Sequence, residues 1–153
     1  MTPTTFATLD DLRGATGQHL GWTDWIDITQ EQVNRFAEAT GDHQWIHVDV
    51  ERANAESPFG GPIAHGYLTL ALSNLFLPEL LAVPGASAGV NYGTGKVRFP
   101  SPVPVGSRVR GGAEVTAVHD IPGGVQTTIT ITIEVDGQEK PACVIESLSR
   151  WLA

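Results

Sequence analysis

The strongest constraint on the fold is a strict alternation of apolar and polar residues in the second half of the chain. From position 128 to 135, Thr or Glu occupies every second place, and the places between hold Ile129, Ile131, Ile133 and Val135. Residues 108–117 alternate in the same way. Because successive side chains of a strand point to opposite faces, both segments predict β-strands with one apolar face. Pro122-Gly123-Gly124 and Asp136-Gly137 predict hairpin turns between neighbouring strands, the second of type I′.

A second strong signal is the apolar segment at residues 67–83, which precedes these strands. Pro62 fits the first turn of a helix here, and Pro84-Gly85 ends the segment. A helix that is apolar on all sides is buried. The apolar positions of this one cover nearly all of its sides: Leu68, Leu70, Ala71, Leu72, Leu75, Phe76, Leu80 and Leu81.

Three shorter elements are predicted before this helix. Thr8 suits the N-cap of a short helix, and residues 22–28 alternate as a first strand. Thr29 opens a capping-box pattern, and the helix that follows ends at Gly41. The whole order is strand, helix, buried helix and then four antiparallel strands. It predicts an α+β domain in which one sheet wraps around one helix.

Size, charge and cysteine content narrow the class of protein. A chain of 153 residues fits one domain spanning 1–153. Its net charge of -8 disfavours nucleic acid and anionic membranes as partners. Residues 1–12 lack the pattern of a secretory signal, and no segment has the length of a membrane span. With Cys143 as the single cysteine, we expect a cytoplasmic protein whose thiol is buried and structural.

Two short motifs carry the side chains that suit catalysis. Asp42 and His47 lie five positions apart, directly after the helix that ends at Gly41, and His65-Gly66 opens the apolar segment. A carboxylate and an imidazole can act as general acid and base. The first N–H groups of a helix have no intrahelical acceptor and can bind a developing oxyanion. Together these groups favour chemistry beside a carbonyl group.

Gly41-Asp42, with His47 and Ala53 at the spacing found here, resembles the signature of the MaoC-like, (R)-specific enoyl-CoA hydratases. Ala64-His65-Gly66 and the run from Lys96 to Val103 are also similar to that family, and the resemblance extends from about residue 23 to 152. It implies the hotdog fold, an antiparallel sheet wrapped around a long central helix. That fold agrees with the elements predicted above.

The resemblance also implies an activity, the reversible addition of water to trans-2-enoyl thioesters. Residues matching Asp42 and His47 hold and activate the water in that family, and the residue matching Gly66 offers its N–H to the thioester oxygen. We expect His65 to position the Gly66 turn at the substrate site. No cofactor is implied, and the expected substrate is an acyl-CoA or acyl-carrier-protein thioester. Hotdog subunits join their sheets, which implies a homodimer.

One departure from the family pattern lies between the two expected catalytic residues. The family usually has Asn-Pro where this chain has Gln44-Trp45. Loss of the proline removes a rigid turn element. We therefore expect other contacts to hold this loop, including burial of the Trp45 ring.

Four of the nine basic residues lie in a segment without acids, at Lys96, Arg98, Arg108 and Arg110. If each pair alternates along a strand, its two side chains share one face. One interpretation is a landing patch for a phosphorylated carrier, with Lys96 and Arg98 binding substrate. The other is a set of solvated strand residues that discourage aggregation.

Taken singly, the expected catalytic residues have structural interpretations too. Asp42 suits an Asx turn, His47 a hydrogen-bonded structural histidine, and Gly66 a packing glycine. A metal set of Asp42, His43, His47 and Asp49 is a further alternative. It is disfavoured because residues 45–48 look extended after Gly41 ends the helix, so we predict no metal.

Two other functions remain open from the sequence. A hotdog thioesterase would use a carboxylate against the thioester carbonyl, often from the central helix, but residues 63–78 contain no Asp or Glu. A non-catalytic subunit that binds acyl thioesters is the other alternative, and the intact Asp42/His47 pair argues against it.

Overall fold

The computed structural model describes residues 2–153 as a long-stranded sheet with helices packed against it. The first half of the chain contributes short strands and most of the helices. In chain order these elements are β1 (Thr4–Thr5), α1 (Leu9–Arg13), β2 (His19–Trp22), β3 (Ile26–Asp27), α2 (Gln30–Thr40), α3 (Trp45–Val48), α4 (Val50–Glu56), α5 (Gly66–Ala71), α6 (Ser73–Leu80) and β4 (Leu81–Ala82). The second half contributes β5 (Ala88–Arg98), β6 (Arg108–Ile121), β7 (Gly124–Val135) and β8 (Cys143–Leu152).

The main sheet has six antiparallel strands in the order β2-β6-β7-β8-β5, with β3 also paired to β6. In its centre Ile131 lies opposite Ala113 and Ile145, and none of the three is more than 1% exposed. The four predicted antiparallel strands are therefore confirmed, and the apolar side of their alternation forms the core. A parallel pairing of β1 with β4 makes a separate small sheet.

The central helix consists of α5 and α6, joined through Leu72 in helical conformation. One side of it packs on the sheet, where Phe76 is 1% exposed. Gly111 of β6 makes room for this ring, because a Cβ there would lie 2.6 Å from Phe76 Cδ2. The other side is open, with Tyr67 73% and Leu75 45% exposed. The prediction that this helix is buried on all sides is wrong for the single chain.

The central helix also begins later than the sequence pattern indicates. Pro62 was predicted in its first turn, but residues 62–65 are not helical and the helix starts at Gly66. The reason is backbone pairing with α3 and with the loop at Val103. Ile63 N–H donates to Ile46 O at 3.0 Å, and Ala64 N–H donates to Val103 O at 2.8 Å. These bonds hold the segment extended up to the N-cap, His65.

Two strand details differ from expectation. The predicted first strand is interrupted at residues 23–25, where Thr23 Oγ1 accepts the N–H of Gly111. Asp136-Gly137 does not join β7 directly to β8, because pairing between those strands begins at Ile133 and Cys143. Asp136 also lacks the positive φ that a type I′ turn requires. The turn at Pro122 and Gly123 between β6 and β7 is confirmed.

The helix caps follow the sequence closely. Thr8 and Asp11 form a reciprocal capping box at α1. At α2 the predicted capping box is half formed: the Thr29 side chain accepts the N–H of Gln32, but within residues 2–153 the Gln32 side chain does not accept the N–H of Thr29. Gly41 ends α2 with a φ of 85°, a conformation that glycine adopts without strain. Among residues 2–153, no helix combines the length and apolar character needed to cross a bilayer.

Candidate active site

The loop after Gly41 holds Asp42 by a local turn. Its Oδ1 accepts the N–H of Gln44 at 3.2 Å, which is the Asx-turn arrangement, and the side chain is 51% exposed. Residues 45–48 then form the helical turn α3 rather than the extended segment predicted from sequence. The Trp45 ring is only partly buried and is covered by the Arg52 guanidinium, 4.1 Å from the ring centre. Covering by Arg52 replaces the burial expected for this ring.

His47 lies on α3 and is 6% exposed. Its Nδ1–H donates to the carbonyl oxygen of Ile63 at 2.7 Å, because a carbonyl can only accept. In the neutral ring this bond places the single proton on Nδ1, so Nε2 keeps its lone pair. Nε2 has no hydrogen-bond partner among residues 2–153 and is not enclosed by them. His47 is thus oriented by one nitrogen and can accept a proton at the other.

Burial lowers the pKa of His47 below the ordinary value, because a low-dielectric environment disfavours the imidazolium. The neighbouring His65 lowers this pKa further, whereas the bond to Ile63 and the Asp42 carboxylate raise it. The net lowering keeps the ring neutral near pH 7. A neutral ring is the form that can act as a base.

His65, the N-cap of α5, is 3% exposed and packs directly on His47. The two rings stack with their centres 3.9 Å apart, and Phe36 lies on His65 at 4.8 Å. His65 Nε2–H donates to the backbone oxygen of Asp42 at 3.0 Å, and its Nδ1 is buried without a partner among the described residues. This ring therefore links the Asp42 loop, His47 and the start of the central helix. The sequence predicted proximity to Gly66 but gave no sign of the stacking.

Gln30, in the first turn of α2, is a supporting residue that the sequence analysis missed. Its Nε2 donates to the backbone oxygen of His47 at 2.8 Å and to Asn34 Oδ1 at 2.9 Å. The amide thereby ties α3 to α2. No sequence pattern distinguishes Gln30 from an ordinary helix residue, because its partner is 17 positions away.

Gly66 lies at the edge of a cavity of about 400 Å³. His65 makes no side-chain cap, and the N–H of Gly66 has no acceptor among residues 2–153. A Cβ at Gly66 would lie 3.4 Å from the Phe99 ring, which also lines the cavity. Asp42 and His47 are not lining residues, but Ile63, whose oxygen binds His47, is one of them. The cavity thus adjoins both a free helix N–H group and the histidine pair.

The cluster that offers metal-ligand atoms differs from the set considered in the sequence. Asp42, His47 and His65 place one such atom each within 4.8 Å of one another, whereas His43 and Asp49 do not join them. Asp49 instead caps α4 by accepting the N–H of Arg52. The His47 and His65 rings are stacked with an interplanar angle of 25°, so their in-plane lone pairs lie side by side rather than converge. The sequence-based prediction of no metal remains a prediction.

The four basic residues do not form one patch. Strands β7 and β8 separate β5, which carries Lys96 and Arg98, from β6, which carries Arg108 and Arg110. Arg108 pairs with Asp136, and Arg110 pairs with Glu134 at 2.9 Å. Lys96 and Arg98 form no ion pair within residues 2–153 and lie on the sheet edge, next to Phe99 of the cavity. Of these four residues, only Lys96 and Arg98 are free of an ion pair within residues 2–153.

Comparison with known proteins gives matches over nearly the whole chain. The 3-hydroxyacyl-thioester dehydratase Z of Mycobacterium tuberculosis is 54% identical over 150 residues, covering 97% of this chain and 99% of that protein. Nodulation protein N of Rhizobium meliloti is 43% identical, covering 95% and 89%. The solved structure of the (R)-hydratase from A. caviae involved in PHA biosynthesis matches with a TM-score of 0.72 and 27% identity, covering 88% of this chain and 94% of that one.

These likenesses confirm the hotdog fold and the expectation of an enzyme in the hydro-lyase class. Residues 11–136 match the family described as the MaoC like domain. This match includes the Asp42 loop, the histidine pair, Gly66 and three of the four long strands in full. The chain therefore belongs to the MaoC-like dehydratase family.

Proposed function

We propose that this dehydratase of thioesters is an (R)-specific enoyl-CoA hydratase, which adds water reversibly to trans-2-enoyl thioesters and forms (R)-3-hydroxyacyl thioesters. The observation that carries the proposal is His47. It is neutral, oriented through Nδ1 to Ile63 O and free at Nε2, and one of its ring nitrogens lies within 4.8 Å of an Asp42 carboxylate oxygen. The names of the Mycobacterium dehydratase and the A. caviae (R)-hydratase support the reaction class.

In the proposed mechanism, Asp42 and His47 hold one water molecule. His47 Nε2 takes a proton from that water as its oxygen bonds to Cβ of the enoyl group. The π electrons move toward the thioester oxygen, which accepts a hydrogen bond from Gly66 N–H. His47 then returns the proton to Cα, so that one H and one OH are added overall. Because the base is restored in each turnover, the scheme needs no cofactor.

His65 acts on this reaction through its neighbours. Its stacking on His47 fixes the ring plane, and its bond to Asp42 O fixes the loop that carries the carboxylate. It is thus a positioning residue, and the burial of its ring directs it to the loop rather than to an open substrate surface. A thioesterase reading is not favoured, because the central helix offers no Asp or Glu between Gly66 and Pro78.

The test is a direct assay of hydration with chiral analysis of the product. We expect loss of the conjugated-thioester absorbance of crotonyl-CoA, with the (R)-3-hydroxy product and no release of free thiol. His47→Gln should abolish the reaction, whereas His43→Gln, an exposed histidine in the same loop, should leave it unchanged. Thiol release without hydration would replace the proposal with the thioesterase, and binding without either would replace it with the acyl-binding subunit.

For the carrier, we propose that Lys96 and Arg98 contact phosphate groups of coenzyme A or of an acyl-carrier protein. Both are free of ion pairs among the described residues, and Arg98 directly precedes Phe99 at the cavity. The opposite pair on β6 is neutralised by Asp136 and Glu134. Charge complementarity therefore favours the β5 edge for an anionic carrier.

We also propose a homodimer formed along β5. This strand is the edge of the main sheet, and it exposes Val90 and Tyr92, at 47% and 53%. An edge of this length with apolar side chains is a template for pairing with another strand. Size-exclusion with light scattering should give about twice the monomer mass of 16.3 kDa. A stable monomer at micromolar concentration would contradict this.

A further inference from the structure

A second cavity, of about 290 Å³, lies between α6 and the inner face of the sheet. Its wall is partly apolar, as expected near a core, with Leu77 and Ile131 among the lining residues. The remainder of the wall is polar but uncharged. Five hydrogen-bonding side chains contribute to it: Ser73, Asn74, Asn91, Ser147 and Ser149.

Two of these polar residues occupy positions where the strand pattern calls for apolar ones. On β8, Cys143 and Ile145 face the core, and the same face continues through Ser147 and Ser149. Ser149 is 3% exposed and Ser147 is partly buried, and neither hydroxyl has a hydrogen-bond partner among residues 2–153. Neither oxygen is fully enclosed, so both open onto the cavity. A hydroxyl that loses water when a chain enters must find a partner there, because leaving it unpaired costs free energy.

The side-chain amides of Asn74 and Asn91 also leave hydrogen-bonding groups free at the cavity. Asn91 Nδ2 donates to Asn74 Oδ1 at 3.1 Å, which joins the edge strand β5 to α6. This bond leaves the Oδ1 of Asn91 and the Nδ2 of Asn74 without partners in the described part of the chain. One free acceptor and one free donor therefore remain at the mouth.

Trp151 forms part of the cavity wall. Its Nε1–H donates to the buried Thr127 Oγ1 at 2.9 Å, and this fixes the ring. The ring lies over Gly89, where a Cβ would be only 2.6 Å from Trp151 Cζ3. This part of the wall is thus held in place.

The central helix connects this cavity to Gly66. Thr69 lines the cavity at Gly66, and Ser73 and Leu77, one and two helical turns further on, line the second cavity. Residues four apart lie on the same side of a helix. Seven residues separate Gly66 from Ser73, a distance of about 10 Å along the axis. Ser73 is therefore within reach of a long acyl chain whose thioester lies at Gly66.

We propose that this cavity receives the far part of the acyl chain and selects chains that carry an uncharged oxygen group, a hydroxyl or oxo group remote from the thioester. The inference rests on the proposed hydration of enoyl thioesters. Hydroxyl and amide groups can pair with such an oxygen, and leaving them unpaired disfavours a plain alkyl chain. A chain ending in a carboxylate is excluded, because the lining offers no cation to offset the cost of burying the charge.

The experiment compares two substrates of equal length, trans-2-octenoyl-CoA and its terminally hydroxylated counterpart, with crotonyl-CoA as a short reference. We expect kcat/KM to favour the hydroxylated chain by about tenfold. Ser147→Ala and Ser149→Ala should each reduce this preference by about threefold, and neither should change kcat/KM for crotonyl-CoA. Ser87→Ala is the matched control, since Ser87 lies on the same end of the sheet outside the cavity.

The outcomes separate this inference from the proposed function. Hydration of crotonyl-CoA with equal rates for the two longer chains, or with a preference for the unmodified chain, overturns the polar acyl site but leaves the hydratase intact. A preference that survives both serine substitutions also overturns it. Failure to hydrate any of the three substrates overturns the proposed function itself.

Discussion

The loop region from Gly41 to Gly66 and the strands β6 to β8 satisfy their polar groups in different ways. In the strands, backbone groups pair with one another in long ladders, and most side chains of one face are buried. In the loop region, several backbone oxygens are bound by side chains instead. Ile63 O accepts from His47, Asp42 O from His65, and His47 O from Gln30. Each such bond orients a functional ring or its support.

This difference assigns stability and chemistry to different parts of the molecule. The sheet buries most of the large apolar side chains, and burial is the main favourable term in folding. The loop region contributes little apolar burial but holds an imidazole with one nitrogen free. Substitutions in the two regions should therefore separate loss of activity from loss of stability.

The largest effect on activity is expected at the pair in the loop region. Asp42→Asn and His47→Gln should each lower kcat by roughly 10²–10⁴-fold, because His47→Gln removes the base that takes the proton and Asp42→Asn removes the carboxylate that holds the reacting water. The double variant should lose little more than the worse single variant, since both groups act on one water. Steady-state hydration kinetics measure this, with circular dichroism to show that the fold is kept.

Independent losses that multiply in the double variant would mean that the two residues act on separate steps. Near-normal hydration by both folded single variants would remove the catalytic assignment altogether. Gly66→Val provides a steric test of the third group, because its side chain would project toward Phe99 and into the carbonyl's approach.

The largest effect on stability is expected in the sheet. Ile133, near the C-terminal end of β7, is fully buried and lines neither cavity. Ile133→Ala should lower the free energy of unfolding by about 2–5 kcal/mol, from lost burial and the space left behind. Denaturant unfolding measures this loss, and kcat of the folded fraction should stay near the wild-type value. A large fall in kcat without a change in stability would contradict the separation.

A smaller effect is expected in the pH dependence of kcat/KM, and it tests whether His47 acts as a neutral base. Because burial lowers its pKa, the neutral base should persist to lower pH than a free imidazole, whose pKa is about 6.5. The acid limb of kcat/KM should therefore lie below that value. The same lowering of the pKa affects folding stability. The contribution of His47 to the free energy of unfolding is fully present above the pKa of the unfolded state, and it is lost as pH falls through the lower pKa of the folded state.

An NMR titration of the ring protons measures this pKa directly, with His47→Gln used for assignment. In His65→Gln the pKa of His47 should rise, because a neighbour that lowers it has been removed. A His47 pKa at or above the free value in the wild-type protein would contradict the burial argument. An unchanged His47 pKa in His65→Gln would mean that His65 does not help to lower it.

Much of the fold follows from periodicity, but the site follows only in part. The alternation at Ile129 to Val135 predicts β7 because one face of a sheet is buried and the other is not. The spacing of Asp42 and His47 identified a pair that the structure brings close together. It could not give the helical turn α3, which spans four residues and has no period to detect. Nor could it give the stacking of His47 on His65, which depends on Ile63 and Ala64 being held extended by Ile46 and Val103.

The basic residues also show that the sequence pattern alone does not give side-chain contacts. Substituting them should have the smallest effects on stability and KM. In both Lys96–Arg98 and Arg108–Arg110 the sequence reads basic, apolar, basic along a strand, but of the two pairs only the second forms ion pairs and cation–π contacts within residues 2–153. Arg110 pairs with Glu134 and lies 4.6 Å from both the Trp22 and Trp25 ring centres. Arg110→Gln should therefore cost about 1 kcal/mol of stability, with KM unchanged.

Lys96→Gln and Arg98→Gln should show the reverse pattern. Neither side chain has an ion-pair partner within residues 2–153, so the free energy of unfolding should change by less than about 0.5 kcal/mol. If the β5 edge binds phosphates, KM for the CoA thioester should rise severalfold and depend less on salt, while kcat stays intact. Salt-dependent kinetics and denaturant unfolding on all three variants compare the two strands directly. An unchanged KM for both β5 variants would return Lys96 and Arg98 to ordinary solvated residues of a strand edge.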